Sequence, residues 1–100
     1  VPPGMKVRYS NLALAELDAI LAGLVAKNPP AARRLHDRIR QVSERISRFP
    51  EGFQEVAERP GVRRVPLVRY PYILFYKVPA DEVVVLRVVH GARKEPWENL

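Results

Sequence analysis

The sequence predicts an α+β domain of order β-α-α-β-β-β, with a helical hairpin packed on a four-stranded antiparallel sheet. Three observations lead there. Apolar residues in the first half recur at steps of three and four, the period of a helix with one buried face. In the second half they gather into three short β-branched and aromatic runs divided by turn residues. The chain has 100 residues, 47% of them hydrophobic, enough for one modest core in one domain.

Taking the elements in order, Val1-Pro2-Pro3-Gly4 ahead of Met5 reads as an expression scar. Residues 5–100 are then the domain. Lys6, Val7, Arg8 and Tyr9 alternate polar and apolar, as a half-buried strand does. Ser10 stands where a helix N-cap belongs. Leu14, Leu17, Leu21 and Leu24 follow at helical spacing, and Ile20 and Val25 widen the stripe. Asn28-Pro29-Pro30 ends that helix and opens the next, with Asn28 as cap and proline in the first turn, where no hydrogen bond is lost. In the second helix Ala32, Leu35, Ile39, Val42, Ile46 and Phe49 form one continuous stripe, a core face. On its wet side Arg40 and Glu44, then Glu44 and Arg48, stand one turn apart. Pro50 and Gly52 stop it.

Residues 53–61 read as a loop closing at Pro60-Gly61. Three strands follow. Val62 to Val68 contains Pro66, which cannot donate to a ladder and marks an edge strand. Tyr72 to Val78 is apolar on both faces, as a central strand is, and Val83 to His90 is long and β-branched. The turns between them are Arg69-Tyr70-Pro71 and Pro79-Ala80-Asp81-Glu82. If each connection reverses the chain, the first strand lies antiparallel beside the last, leaving the Pro66 strand exposed at the far edge.

Composition narrows the function. Without cysteine there is no disulfide framework and no thiolate metal site, which fits a reducing, cytoplasmic setting. No apolar run approaches the roughly 20 residues a membrane span needs. Net charge is +6 and uneven: residues 1–58 hold nine Lys/Arg against seven Asp/Glu, residues 59–100 eight against four. A basic second half attracts polyanions, either nucleic acid or an acidic protein segment.

Chemistry is sparse. His36 and His90 are the two histidines, with no metal-ligand spacing, no phosphate-cradling glycine loop and no hydrolase triad. No metal or cofactor is expected. His36 lies among charged neighbours and reads as surface. The suggestive set is in the last three strands and the tail: Arg63, Arg64, Arg69, Tyr70, Tyr72, Arg87, His90, Arg93, Lys94 and Trp97. Arginines grip phosphates or carboxylates with two parallel bonds, and tyrosines stack on bases or flank a partner chain. In-line RNA cleavage would also need a proton acceptor, a proton donor and clustered cations. His90 with Arg63, Arg87 and Arg93 are the candidates. The plainer reading makes His90 a strand-end histidine hydrogen-bonded to a backbone group and the arginines members of solvated ion pairs.

The element order, Pro29-Pro30-Ala31-Ala32 at the head of helix two, Pro60-Gly61-Val62-Arg63-Arg64, the run Arg69 to Tyr76 and Leu86 to Arg93 together resemble the RelE/ParE superfamily of type II toxins. The resemblance spans Met5 to Trp97. It implies a small bacterial growth-inhibiting toxin silenced by a cognate antitoxin whose acidic segment wraps it. RelE-type members cut mRNA on the ribosome with basic sheet residues and a C-terminal acid or base, often tyrosine. ParE-type members inhibit DNA gyrase. This chain has no tyrosine after Tyr76 and no lysine pair in residues 53–61. The expected reading is therefore ParE-like, a gyrase binder, with an mRNA endoribonuclease and a non-toxic nucleic-acid-binding module as alternatives. The basic residues 59–100 and the exposed Pro66 edge lead us to expect an acidic antitoxin segment that either adds a strand or lays a helix against the domain.

Overall fold

The computed structural model describes residues 4–92, 96–97 and 100. Its elements are β1 (Lys6–Tyr9), α1 (Asn11–Lys27), α2 (Pro29–Arg48), β2 (Val62–Pro66), β3 (Tyr72–Lys77) and β4 (Glu82–His90). Both expected caps are present. The Ser10 hydroxyl accepts from the Ala13 N–H at 3.0 Å and the Asn28 side chain from the Ala31 N–H at 3.2 Å, each satisfying a donor that a helix start leaves free.

The four strands form one sheet in the order β1-β4-β3-β2. The Pro66 strand is at an edge and β1 lies beside β4, as expected. The pairing of those two is not. β1 runs parallel to β4, Lys6 opposite Glu82 through Tyr9 opposite Val85, so the sheet is mixed rather than antiparallel. The cause is the one-residue connection at Ser10, which does not turn the chain back. Ser10 donates its N–H to Val85 O and its hydroxyl to Leu86 O, and the Glu16 carboxylate accepts the Val88 N–H. Thus α1 runs on beside β4 in the sense of β1. α2 makes the reversal instead: Tyr9 bonds Ser43 and Met5 bonds Ser47.

That path changes what each helix buries. α2 lies over the sheet, with Ala32, Leu35, Ile39, Val42 and Ile46 buried, in one core with Val65, Leu74, Tyr76, Val83, Val85 and Val88. Phe49, expected to extend this stripe, is instead the exposed C-cap beneath the Arg45 guanidinium. α1 rides along the sheet margin, so Ala13 alone of its residues is buried. Leu14 and Val25 of the expected stripe are 45% and 55% exposed. Neither Arg40 nor Arg48 closes an ion pair with Glu44 within 4 Å; the one-turn spacing permits contact without enforcing it. His36 is exposed, as expected.

The second sheet face carries a smaller core of Val56, Val62, Ile73, Phe75 and Val89, with Leu86, Trp97 and Leu100 packed against it. Val56 belongs to the 53–61 loop, and this loop also covers the β2 edge. Val56 N–H donates to Val62 O, Arg64 N–H to Gln54 O, and Glu55 bridges Arg63. The Pro66 strand is therefore not the open docking edge expected of it. Gly61, at φ 86, makes the turn that brings the loop back, a conformation costly for other residues.

Candidate functional site

Four of the ten expected site residues gather at one end of the sheet. There the β2–β3 turn closes with Tyr70 N–H donating to Leu67 O and Leu67 N–H to Tyr72 O. Arg69 occupies the left-handed region at φ 72 and is exposed beside half-buried Tyr70. Tyr72 is the ladder partner of His90, their rings edge to face at 5.6 Å. His90 Nδ1 accepts the Ala92 N–H at 3.1 Å, so that nitrogen is engaged in ending the strand.

Arg63 is elsewhere. It pairs with Tyr76, while His90 pairs with Tyr72, four residues away along β3 and so about 13 Å down the strand. Its Nη1 donates to Phe53 O at 2.6 Å and Glu51 O at 3.4 Å, tying down the turn after α2. The Tyr76 hydroxyl donates to Pro50 O at 2.6 Å in the same corner, and the Phe53 ring meets the Tyr76 ring edge-on.

Two phenols, buried Tyr76 and half-buried Tyr9, carry a pH signature. Burial pushes the Tyr76 hydroxyl above its ordinary value, with Arg63 pulling weakly the other way, and burial likewise raises Tyr9 against its bond to Ser43. A raised folded-state value means the unfolded chain ionises first. Their stabilisation is therefore complete below about pH 10, the ordinary value, and is lost as pH rises through the higher folded values. The urea midpoint should decline above pH 10, and Tyr9→Phe with Tyr76→Phe should flatten that decline. An equally steep fall in the double variant would assign the alkaline loss to other groups.

The remaining residues scatter. Arg64 and Trp97 are on the second face, lining a groove of about 270 Å³ with Phe75 and Gln54. Arg87, expected as a surface contact, is 7% exposed: Nη2 and Nε donate to the Glu16 carboxylate at 2.6 and 3.3 Å. It lies at the β4 bulge opposite Phe75 and holds α1 to the sheet. Arg93 and Lys94 lie outside the described residues.

Sequence reasoning missed Arg34 and Arg38. They stand one turn apart on α2 and line a groove of about 510 Å³ with Arg69 and Tyr70. Their signal was available as an i, i+4 pair flanking the apolar stripe, but nothing local tells that the β2–β3 turn meets that flank. The arrangement offers cations and aromatic rings at one end of the sheet. His90 and Tyr72 are titratable groups at that end, their rings edge to face at 5.6 Å, while Arg63 and Arg87 lie elsewhere. Among the described residues no three His, Cys, Asp or Glu side chains gather as a metal site.

A helical hairpin on a four-stranded mixed sheet, with cations and aromatic rings at one end, is the architecture expected of the toxin superfamily suggested by its sequence. The family model described as "ParE toxin of type II toxin-antitoxin system, parDE" matches residues 7–95, so the chain belongs to the ParE toxin family. It is 30% identical over 95 residues to "Putative toxin Y4kP" of Sinorhizobium fredii (strain NBRC 101917 / NGR234), covering 91% of this chain and 93% of that protein. It is also similar to a solved chain of the "Chromosomal ParDE TA system from P. aeruginosa". That match has a TM-score of 0.74 and 27% identity, and covers 86% of this chain and 95% of the other.

Proposed function

We propose that this ParE-family toxin acts in the cytoplasm by binding DNA gyrase, without cutting RNA, and that a cognate antitoxin neutralises it. The separation of the candidate catalytic groups carries this reading. Of the described candidates, His90 and Arg63 are about 13 Å apart along the strands and Arg87 is committed to Glu16, so these three do not converge on one phosphorane. A binder has no such requirement. Among the described residues no helix is long and apolar enough to cross a membrane.

The antitoxin has a seat on the helical hairpin rather than at the sheet edge. Leu21, Val25, Pro29 and Ala32 line an apolar groove of about 580 Å³ between α1 and α2. Its charged rim is Arg33 and Arg40 against Asp37. Helical walls have no spare backbone donors or acceptors for an extended chain, so the matching occupant is an amphipathic helix with acidic flanks. The solved relative's description as a ParDE system supports such a partner.

One induction experiment tests both parts. Growth arrest with DNA-damage signalling and intact mRNA, unchanged by His90→Ala, is the expected result. Codon-phased mRNA cuts that vanish in His90→Ala would replace gyrase with the ribosome. Co-expression of the neighbouring reading frame should relieve the arrest, and Val25→Glu should escape relief while remaining toxic. Relief of both alike would place the antitoxin off this groove.

A further inference from the structure

The groove missed by sequence reasoning has the makings of a ligand site of its own. Arg34 and Arg69 are exposed and Arg38 is half-buried, and all three line it. Among the described residues no carboxylate lies within 4 Å of any of the three, although α2 and the loops around it carry several. Arg38 Nε is buried and makes no hydrogen bond. Such an unmet donor on a cation is expensive unless an acceptor arrives. Arg69 is held there by a turn that places it at φ 72, where a residue with a side chain is uncommon. Asp37 is the single acid lining the groove, and its Oδ1 is 3.9 Å from His36 Nδ1.

We propose that this groove binds the phosphodiester backbone of a nucleic-acid strand, with Arg34, Arg38 and Arg69 on the phosphates and Tyr70 against a base or sugar. The contact is direct and needs neither gyrase nor the antitoxin, so it stands apart from the reading above. Phosphate fits better than an acidic peptide. Peptide affinity comes mainly from apolar anchors seated in pockets, and here Tyr70 is the one large apolar side chain. Phosphate binding is carried by charge and released counterions, which three clustered guanidinium groups provide without an apolar floor. Their planar forks also match phosphate oxygens in pairs. The apolar groove on the helical hairpin has the opposite character, so the two surfaces suit different partners.

The test measures binding of the purified full chain to a fluorescent 20-mer, as duplex DNA and as single-stranded RNA, over a salt series. Three phosphate contacts give a slope of log K against log salt of about −2.7 on duplex DNA, or about −2.1 on a single strand. The Arg34→Glu, Arg69→Glu double variant should weaken binding about tenfold or more at low salt and flatten the slope by about two. Arg48→Glu, Arg45→Glu changes net charge equally at the far end of α2 and should leave the slope unchanged. Arg69→Gly, which also suits the turn, should flatten the slope by about one, so a misfolded double variant does not blunt the test. Binding of one 20-mer and not the other names the nucleic acid. Equal loss in the Arg45, Arg48 control means diffuse attraction to a basic protein and overturns the site. So does a poly-glutamate peptide that binds through Arg34 and Arg69 when neither 20-mer does.

Discussion

Glu16→Ala should destabilise the fold by about 3–5 kcal/mol, the usual result of removing one partner from a buried ion pair. Against a total of about 5–15 kcal/mol for a domain, that is a large share of the stability. The reason is the number of donors converging on one carboxylate. Its oxygens accept from Arg87 Nη2 and Nε and from the Val88 backbone N–H. The Arg87 and Glu16 side chains are 8% and 17% exposed, so water replaces little of what is lost. Alanine would take away the carboxylate that faces a largely buried guanidinium and a strand N–H at the seam between α1 and β4. Glu16→Gln retains an acceptor for Val88 and should fall between. Replacing Glu16 and Arg87 together with apolar residues should recover much of the loss, because the charge needing compensation is gone. Urea titration of the four proteins decides it. A Glu16→Ala chain within about 0.5 kcal/mol of the parent, the range of ordinary surface changes, would show that the seam does not depend on the pair.

Ile39→Ala should destabilise by about 2–5 kcal/mol, for a different reason. Ile39 is 5% exposed in the middle of α2, in the same core as Leu35, Ile46, Leu74 and Tyr76. The neighbours above and below are themselves fixed on a helix and a sheet, so the space left by three methyl and methylene groups cannot close. Ile39→Val removes a single methylene and should cost about 0.5–1.5 kcal/mol. A melting temperature for Ile39→Ala within a degree or two of the parent would mean that α2 does not pack on the sheet as described.

These two residues also mark how far the sequence could be read. Ile39 announces itself, because an apolar period of three to four sustained along the whole of α2 is the signature of a helix with one buried face. Every strand and both caps are legible in the same local way. Glu16 is different. Its role depends on β4, more than seventy residues later, and on α1 continuing past Tyr9 instead of folding back. No local pattern encodes the direction a chain takes after one residue, and assuming reversal makes β1 antiparallel. The same missing direction leads to a buried leucine stripe where Leu14 and Val25 are exposed. The candidate site divides along the same line. Arg69, Tyr70, Tyr72 and His90 are close in the β2–β4 meander and could be grouped from sequence. Arg34 and Arg38 come from another layer, and Arg87 looks like any surface arginine until Glu16 is seen.

The parallel union of β1 with β4 gives synthesis an order. Of the six elements β4 is made last, yet it lies inside the sheet, with β1 on one side and β3 on the other. Until it emerges from the ribosome, β1 has no strand partner and α1 has no Val85, Leu86 or Val88 to lean on, while the β2–β3 hairpin lacks its inner neighbour. The nascent chain can make the helices and a hairpin, but the long-range closure that joins them waits for residues 82–90. The fold therefore closes in one late step, when the last of its six elements arrives between β1 and β3.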